Sequence, residues 1–246
     1  MFYIIGIGLY PSQITKEGLD AISVCKEIYI DNYTNILSSG KIEELEQIIN
    51  KKIFLLKRNE LETEQEFIKN ESALLVIGNP FSATTHFTLL KDAKNKGIKT
   101  KVIPGISIFS YKGYIGLYEY KFGKTISIVY QENNFKPTSF YNTLIDNLTI
   151  GAHTMCLLDI KTDQNRFMSV SEAITILDSI DKLEKNILYD RDCVAMCGMG
   201  SSEQEIIAFK FYDYKRIKST KFPQTLIICG DLNEVERDGL NEYKQK

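Results

Sequence analysis

The sequence predicts an α/β chain of two domains, the first built on a mainly parallel sheet and the second on a mixed one. Three observations predict it. Short β-rich apolar runs alternate with amphipathic stretches through the first half, as strand–helix–strand units with helices on the sheet faces require. That alternation resets around residues 118–123, after which strands arrive without a helix between each pair. The 246 residues exceed what one domain of ~100–200 residues usually needs and fall short of three. The domains are expected at 1–118 and 119–246.

The first strand is expected over residues 2–7. Thr15 is placed to cap a helix running to about Cys25, with Leu19, Ile22 and Cys25 at the i, i+3, i+6 spacing of a buried stripe. Strands at 27–30 and 53–56 flank a helix at 41–49. A strand at 73–77 runs straight into Gly78-Asn79-Pro80. A helix at about 84–96 then stops at Gly97, its C′ glycine. The strand at 99–103 ends on Pro104-Gly105, before a short helix at about 107–116. In the second half, strands are expected near 125–130, 154–159, 193–197, 206–209 and 226–229, and helices near 138–148, 170–180 and 232–240.

Composition narrows the function classes. Apolar residues at 43 % and charged residues at 25 % exclude a disordered or fibrous chain. Thirty basic side chains against thirty-two acidic ones leave a net charge of −2. That balance gives no counterion-release drive towards nucleic acid and no polybasic patch for a membrane surface. Nothing approaches the ~18 apolar residues of a membrane span. The opening run from Met1 to Gly8 lacks a basic n-region and a cleavage signature, so it reads as a core strand, not a signal peptide. Five scattered cysteines (Cys25, Cys156, Cys193, Cys197, Cys229) fit a reduced, cytoplasmic setting. Cys193 and Cys197, in a Gly- and Met-rich apolar run, read as buried small thiols rather than metal ligands.

Motifs then point to a binding site made of turns. Gly6-x-Gly8 follows the first strand, but Pro11 stands where a dinucleotide fingerprint needs its third glycine, and a tight turn explains the pair. The run from Gly78 to His86 is richer: an irregular Gly-Asn-Pro break, then Ser82, Thr84 and Thr85 leading into a helix. Ligands bind at such carboxyl strand ends in open α/β sheets, where freed backbone N–H groups and hydroxyls meet their polar parts. A helix start capped by Ser82 or Thr84 fits the same residues equally well. Gly105-Ile106-Ser107 repeats the arrangement one unit later, so two loops would face one crevice. His86 and His153 have no triad partners in sequence and read as hydrogen-bonded structural residues. No GxSxG elbow supports nucleophilic hydrolysis. Asp159 at a strand end serves equally as ligand contact or local cap. The aromatics, without a basic stripe, mean core and interface.

These blocks resemble the diphthine synthases of the tetrapyrrole methylase family. The resemblance rests on Tyr3 to Leu9, Ile14-Thr15, Gly18-Leu19, Tyr33 to Leu37, Gly78 to Phe81 with Ala83 to His86, and Tyr120 to Thr125. It continues through His153 to Lys161, Arg166 to Val170 and Leu226 to Gly230, so it covers essentially the whole chain. It implies a homodimer of two-domain subunits, with S-adenosyl-L-methionine as cofactor in a cleft between the domains. It also implies methylation of the modified histidine of translation elongation factor 2, on the route to diphthamide. The cofactor contacts it implies are Leu9, Asn79, Ser82, Ser107, Ile108, Leu158, Cys197 and Gln224. This chain departs from the family's pattern where Asn79 replaces Asp, Gln224 replaces His and Met196 replaces a common Arg. Losing the charge at 79 is expected to weaken cofactor binding roughly tenfold, since charged hydrogen bonds contribute ~1.5–3 kcal/mol against ~0.5–1.5 for neutral ones.

Such a transfer explains the absence of an acid–base dyad from the sequence. Displacement at a sulfonium methyl needs neither a protein nucleophile nor a metal; it needs the amine held about 3–3.5 Å from the carbon, in line with the sulfur. No catalytic residue and no metal ligand are therefore named. Two other readings stay open at this point: a cofactor-deficient binding module, and a tetrapyrrole or corrin methyltransferase of the same fold.

Overall fold

The computed structural model describes residues 1–132 and 135–244. They form two compact units, Met1–Ser110 with Lys161–Asn165, and Tyr111–Ile160 with Arg166–Lys246. Residues 111–118, expected at the end of the first domain, are packed into the second. The Tyr118 N–H donates to Glu236 Oε1 (3.1 Å), the Tyr243 hydroxyl donates to the Tyr114 carbonyl (3.0 Å), and Gly116 lies against Gly239, so close that an added Cβ would sit 2.9 Å from its Cα.

The first unit is a five-stranded sheet in the order β3-β2-β4-β1-β5. Its strands are β1 (Phe2–Gly6), β2 (Glu27–Asp31), β3 (Ile53–Leu56), β4 (Ser72–Val76) and β5 (Thr100–Ile103), and every neighbouring pair is parallel. The central β4 is buried at all five positions, as a strand covered on both faces must be. Alternation divides the core. Ile5, Ile28, Ile30 and Leu75 pack with Ala21, Ile22 and Leu45 of α1 (Lys16–Ser23) and α2 (Ile42–Ile49). Phe2, Ile4, Leu74 and Val76 pack with Phe67 and with Leu89 and Ala93 of α3 (Phe87–Asn95). Thr15 caps α1 as expected, its hydroxyl accepting from the Gly18 N–H at 3.0 Å. Gly97, with φ +70°, follows α3 as its C′ residue.

In the second unit the order is β11-β10-β12-β7-β6, mixed as expected: β6 (Ile126–Ile128) and β7 (Thr154–Leu158) are parallel. The pairs joining β7, β10 (Asp192–Cys197), β11 (Glu205–Lys210) and β12 (Gln224–Ile228) are antiparallel. A short ladder, β8 (Ile160–Lys161) with β9 (Arg166–Phe167), is too brief to leave a periodic signal in the sequence. One face packs against α4 (Ser139–Thr149) and α5 (Val170–Glu184) through Phe140, Leu144, Ala173, Ile174 and Leu177. Ser169 and Glu172 form a capping box on α5, and Asn233 with Glu236 forms another on α6 (Glu234–Asn241). No helix among the described residues is long and apolar enough to cross a membrane.

Residues 107–116 form the short helix expected, as a 3-10 segment over Ile108–Ile115. Two element expectations are corrected. The helix expected from about 84 begins at Phe87. Neither Ser82 nor Thr84 caps it: the Thr84 hydroxyl accepts from the His86 N–H, and residues 79–86 remain a loop. A π turn at Glu60–Glu64 was not foreseen; it closes on Gln65, which has φ +50°.

Candidate functional site

In the first unit β4, β1 and β5 are adjacent and parallel, so their carboxyl ends open on one side. They come together closer than any residue with a Cβ allows. A Cβ on Gly6 would lie 2.5 Å from Gly105 N and 2.6 Å from Gly78 O; one on Gly105 would lie 2.4 Å from Gly78 O. Gly8 and Gly78 exchange backbone bonds (2.8 and 3.4 Å) at φ +79° and +88°, turning the chain out of the sheet. Gly6, Gly78 and Gly105 thus form a floor of bare backbone from which the two predicted loops rise.

Four of the five predicted contacts of this unit stand around that floor, and Leu9 follows Gly8 directly. Leu9 is buried, its N–H donating to Gln13 Oε1 (2.7 Å) and its carbonyl accepting from the Ser38 N–H and hydroxyl. Asn79 bridges the loops: its Nδ2 donates to the Gly105 carbonyl (3.3 Å) and its Oδ1 accepts from the Phe81 N–H (3.0 Å). The Ser82 N–H donates to the Asn79 carbonyl (3.2 Å), and the Ser107 carbonyl accepts from the Ser110 N–H (2.9 Å). The hydroxyls of Ser82 and Ser107 have no partner among the described residues, although Ser107 is buried. Ile108 opens the 3-10 segment beside Ser107, half-buried. Ala83, at φ +55°, holds the loop in a left-handed conformation that side chains disfavour, the kind of strain that persists where the surroundings over-determine it.

The predicted contacts of the second unit share one row of its sheet. Cys197 pairs with Gln224, and continuing the Thr225–Leu157 register by one step sets Gln224 beside Leu158. Their side chains are engaged within the unit. Cys197 and Leu158 lie in the core under the helices, and burial pushes the Cys197 thiol up to about 11. Gln224 Oε1 accepts from the Val170 N–H (2.8 Å), while its Nε2 donates to the carbonyls of Ser219 (3.2 Å) and Lys221 (3.1 Å). The main chain of the row is paired within the sheet as well, Gln224 of β12 with Cys197 of β10. Met196 is fully buried in the same strand, in a place no exposed cation could occupy at low cost.

Both histidines are buried against partners within their own unit. His153 Nδ1 accepts from the Gly230 N–H (3.0 Å), so the hydrogen on Nε2 is the one donated to Glu236 (2.9 Å). Burial lowers the His153 pKa, only partly offset by Glu236. His86 lies beside Asp31, a residue without a sequence signal beyond its place at a strand end. Asp159, left open between ligand contact and cap, accepts from the Tyr130 N–H (3.0 Å).

Comparison with known proteins shows the family. Residues 1–213 match the model of the tetrapyrrole (corrin/porphyrin) methylases. A diphthine synthase of Staphylothermus marinus is 38% identical over 98% of this chain and 92% of its own length. A diphthine methyl ester synthase of Dictyostelium discoideum is 34% identical over 100% and 99%. A crystal structure of a diphthine synthase superposes with a TM-score of 0.88 at 27% identity, covering 99% of this chain and 95% of that one. The chain belongs to the tetrapyrrole methylase family.

Proposed function

We propose that the chain methylates the modified histidine of translation elongation factor 2, with S-adenosyl-L-methionine as methyl donor, in the synthesis of diphthamide. It works in the cytoplasm as a homodimer. The observation that carries this reading is the full-length likeness to diphthine and diphthine methyl ester synthases. Leu9, Asn79, Ser82, Ser107 and Ile108 are the proposed donor contacts of the first unit. Leu158, Cys197 and Gln224 mark the proposed ligand end of the second unit's sheet.

The residues of the first unit suit such a donor. Bare backbone at Gly6, Gly78 and Gly105 admits close approach, and two hydroxyls without a partner among the described residues can bond the polar parts of an amino-acid-bearing nucleoside. When bound, the donor supplies an electrophilic methyl carbon on a sulfonium. The chain's own work is to hold the amine in line with it and to keep water away. Neither histidine is committed to proton transfer: His86 faces Asp31, and His153 is tied between Gly230 and Glu236. Incubation with labelled S-adenosylmethionine and elongation factor 2 carrying the aminocarboxypropyl-histidine is expected to label the factor. Absence of label with donor binding intact would refute the substrate assignment.

Asn79 yields a prediction of definite sign. An aspartate there would keep the acceptor for the Phe81 N–H but set an oxygen against the Gly105 carbonyl, where Nδ2 now donates. The bridge to Gly105 reverses the sign expected from charge alone: Asn79→Asp is expected to weaken donor binding at pH 7 by about fivefold to tenfold, the worth of one neutral hydrogen bond. Binding should recover as the pH falls towards 4, where a protonated carboxyl donates again. Calorimetric titration at the two pH values checks it; tighter binding at pH 7 would show that charge at this position outweighs the bridge.

A further inference from the structure

We propose that Asp31 is a positioning residue for the donor loop, acting through His86. This rests on the reading of the first unit as the donor site. Asp31 ends β2 and is 1 % exposed, yet both of its oxygens are engaged. Oδ1 accepts from the N–H groups of Tyr33 (2.9 Å) and Thr34 (3.1 Å); Oδ2 accepts from the Thr34 hydroxyl. His86 Nε2 lies 3.1 Å from Oδ2, within ion-pair reach though not aligned for a hydrogen bond. Burial alone would raise the Asp31 carboxyl; His86, Thr34 and the Tyr33 N–H outweigh it and hold it below the usual carboxylate range.

The other face of the ring completes the chain of contacts. His86 Nδ1 lies 3.3 Å from the Pro80 carbonyl, so each ring nitrogen faces an oxygen that can only accept. Pro80 stands between Asn79 and Ser82, and His86 closes the same loop immediately before α3. One end of the loop is therefore tied to Gly105 by Asn79 and the other to the end of β2 by His86. The carboxylate also gathers the turn after β2, whose Tyr33 carbonyl accepts from the Thr162 hydroxyl (3.0 Å). Deleting Asp31 removes the carboxylate that His86 Nε2 rests against and frees the loop that carries Asn79 and Ser82. The donor then meets a loop that it must order at its own cost.

The test is a double-mutant cycle read by calorimetry with S-adenosylmethionine, together with steady-state kinetics. Asp31→Ala and His86→Ala are each expected to raise the donor Kd about tenfold, within the range of coupling carried by a contact network. The double variant should be no worse than the more affected single one. At saturating donor, kcat should stay within about twofold, because the residues touch no reacting atom. Asp31→Asn should return the Kd to within about threefold of wild type, its oxygen accepting from Tyr33 and Thr34 and its amide facing the ring. Single variants with unchanged Kd, or effects that multiply in the double variant, would overturn the inference. If Asp31→Ala does not fold, His86→Ala decides alone by the same Kd criterion. Wild-type protein that binds no donor would instead overturn the functional reading on which the inference rests.

Discussion

Gly105→Ala is expected to weaken S-adenosylmethionine binding by about tenfold to a hundredfold, the equivalent of the ~1–3 kcal/mol that overpacking costs. The reason is geometric. The added methyl would lie 2.4 Å from Gly78 O and 2.6 Å from the carbonyl carbon of Gly6. All of these are backbone atoms at the ends of hydrogen-bonded parallel strands, so no rotamer can give way. Either β5 leaves its place beside β1, or the Pro104-Gly105 turn lifts away from Gly78. Both movements break the Asn79–Gly105 bridge and displace Ser107, one of the proposed donor contacts. Gly113→Ala is the matched control, because its added methyl meets nothing nearer than Glu119 Cγ at 3.5 Å, the flexible middle of a side chain. Calorimetric titration and thermal melts of the two variants decide it. Donor affinity in Gly105→Ala equal to that of wild type would mean that the ligand does not rest on this floor.

That glycine contact shows how far the sequence carries and where it stops. The strand-then-break pattern at Gly78-Asn79-Pro80 and Pro104-Gly105 was legible because Gly and Pro punctuate local structure whatever surrounds them. So were the parallel first sheet, the mixed second one, the Thr15 cap and the stop at Gly97. That Gly6 and Gly105 touch was not legible: it depends on β1 lying between β4 and β5, a pairing over about a hundred residues of sequence. Asp31 escaped notice for the same reason, since a strand-end carboxylate acquires meaning only when His86 arrives from another βα unit. Gln224 was legible as a position but not as a role. Its row with Cys197 and Leu158 comes from the sheet register, which the sequence did not show, and its amide is consumed by Val170, Ser219 and Lys221. The boundary near residue 118 was read from the change of pattern. The contacts of Tyr118 with Glu236 and of Gly116 with Gly239, which draw residues 111–118 into the second unit, join segments over a hundred residues apart.

Glu236 carries the largest expected effect on stability. It is fully buried at the start of α6 and gathers four donors: the Lys121 ammonium (2.5 Å), His153 Nε2–H (2.9 Å) and the N–H groups of Tyr118 (3.1 Å) and Asn233 (3.1 Å). Burial would raise its carboxyl, but Lys121, His153 and the two backbone donors pull it down to about 2. Glu236→Ala takes the carboxylate from all four, including a mostly enclosed cation left with the Asp231 carbonyl (2.6 Å). Removing one partner of a buried pair costs about 3–5 kcal/mol, because the remaining charge stays desolvated. For a chain of this size that corresponds to a fall in Tm of about 6–15 °C. The pH dependence has a fixed sign. A carboxyl whose folded pKa lies near 2, against an ordinary 4.5, contributes its full stability above 4.5 and loses it as the pH falls towards 2. His153, its pKa lowered by burial, adds a loss in the same direction that sets in below its ordinary 6.5, since the unfolded chain takes up that proton first. The gap in Tm between wild type and Glu236→Ala should therefore be widest near neutrality and narrow below pH 4.5. Glu236→Gln, which keeps an acceptor but no charge, should fall between the two. A gap that stays constant from pH 6 to pH 3, or a neutral-pH loss under about 2 °C, would show that these four donors find other partners when the carboxylate is gone.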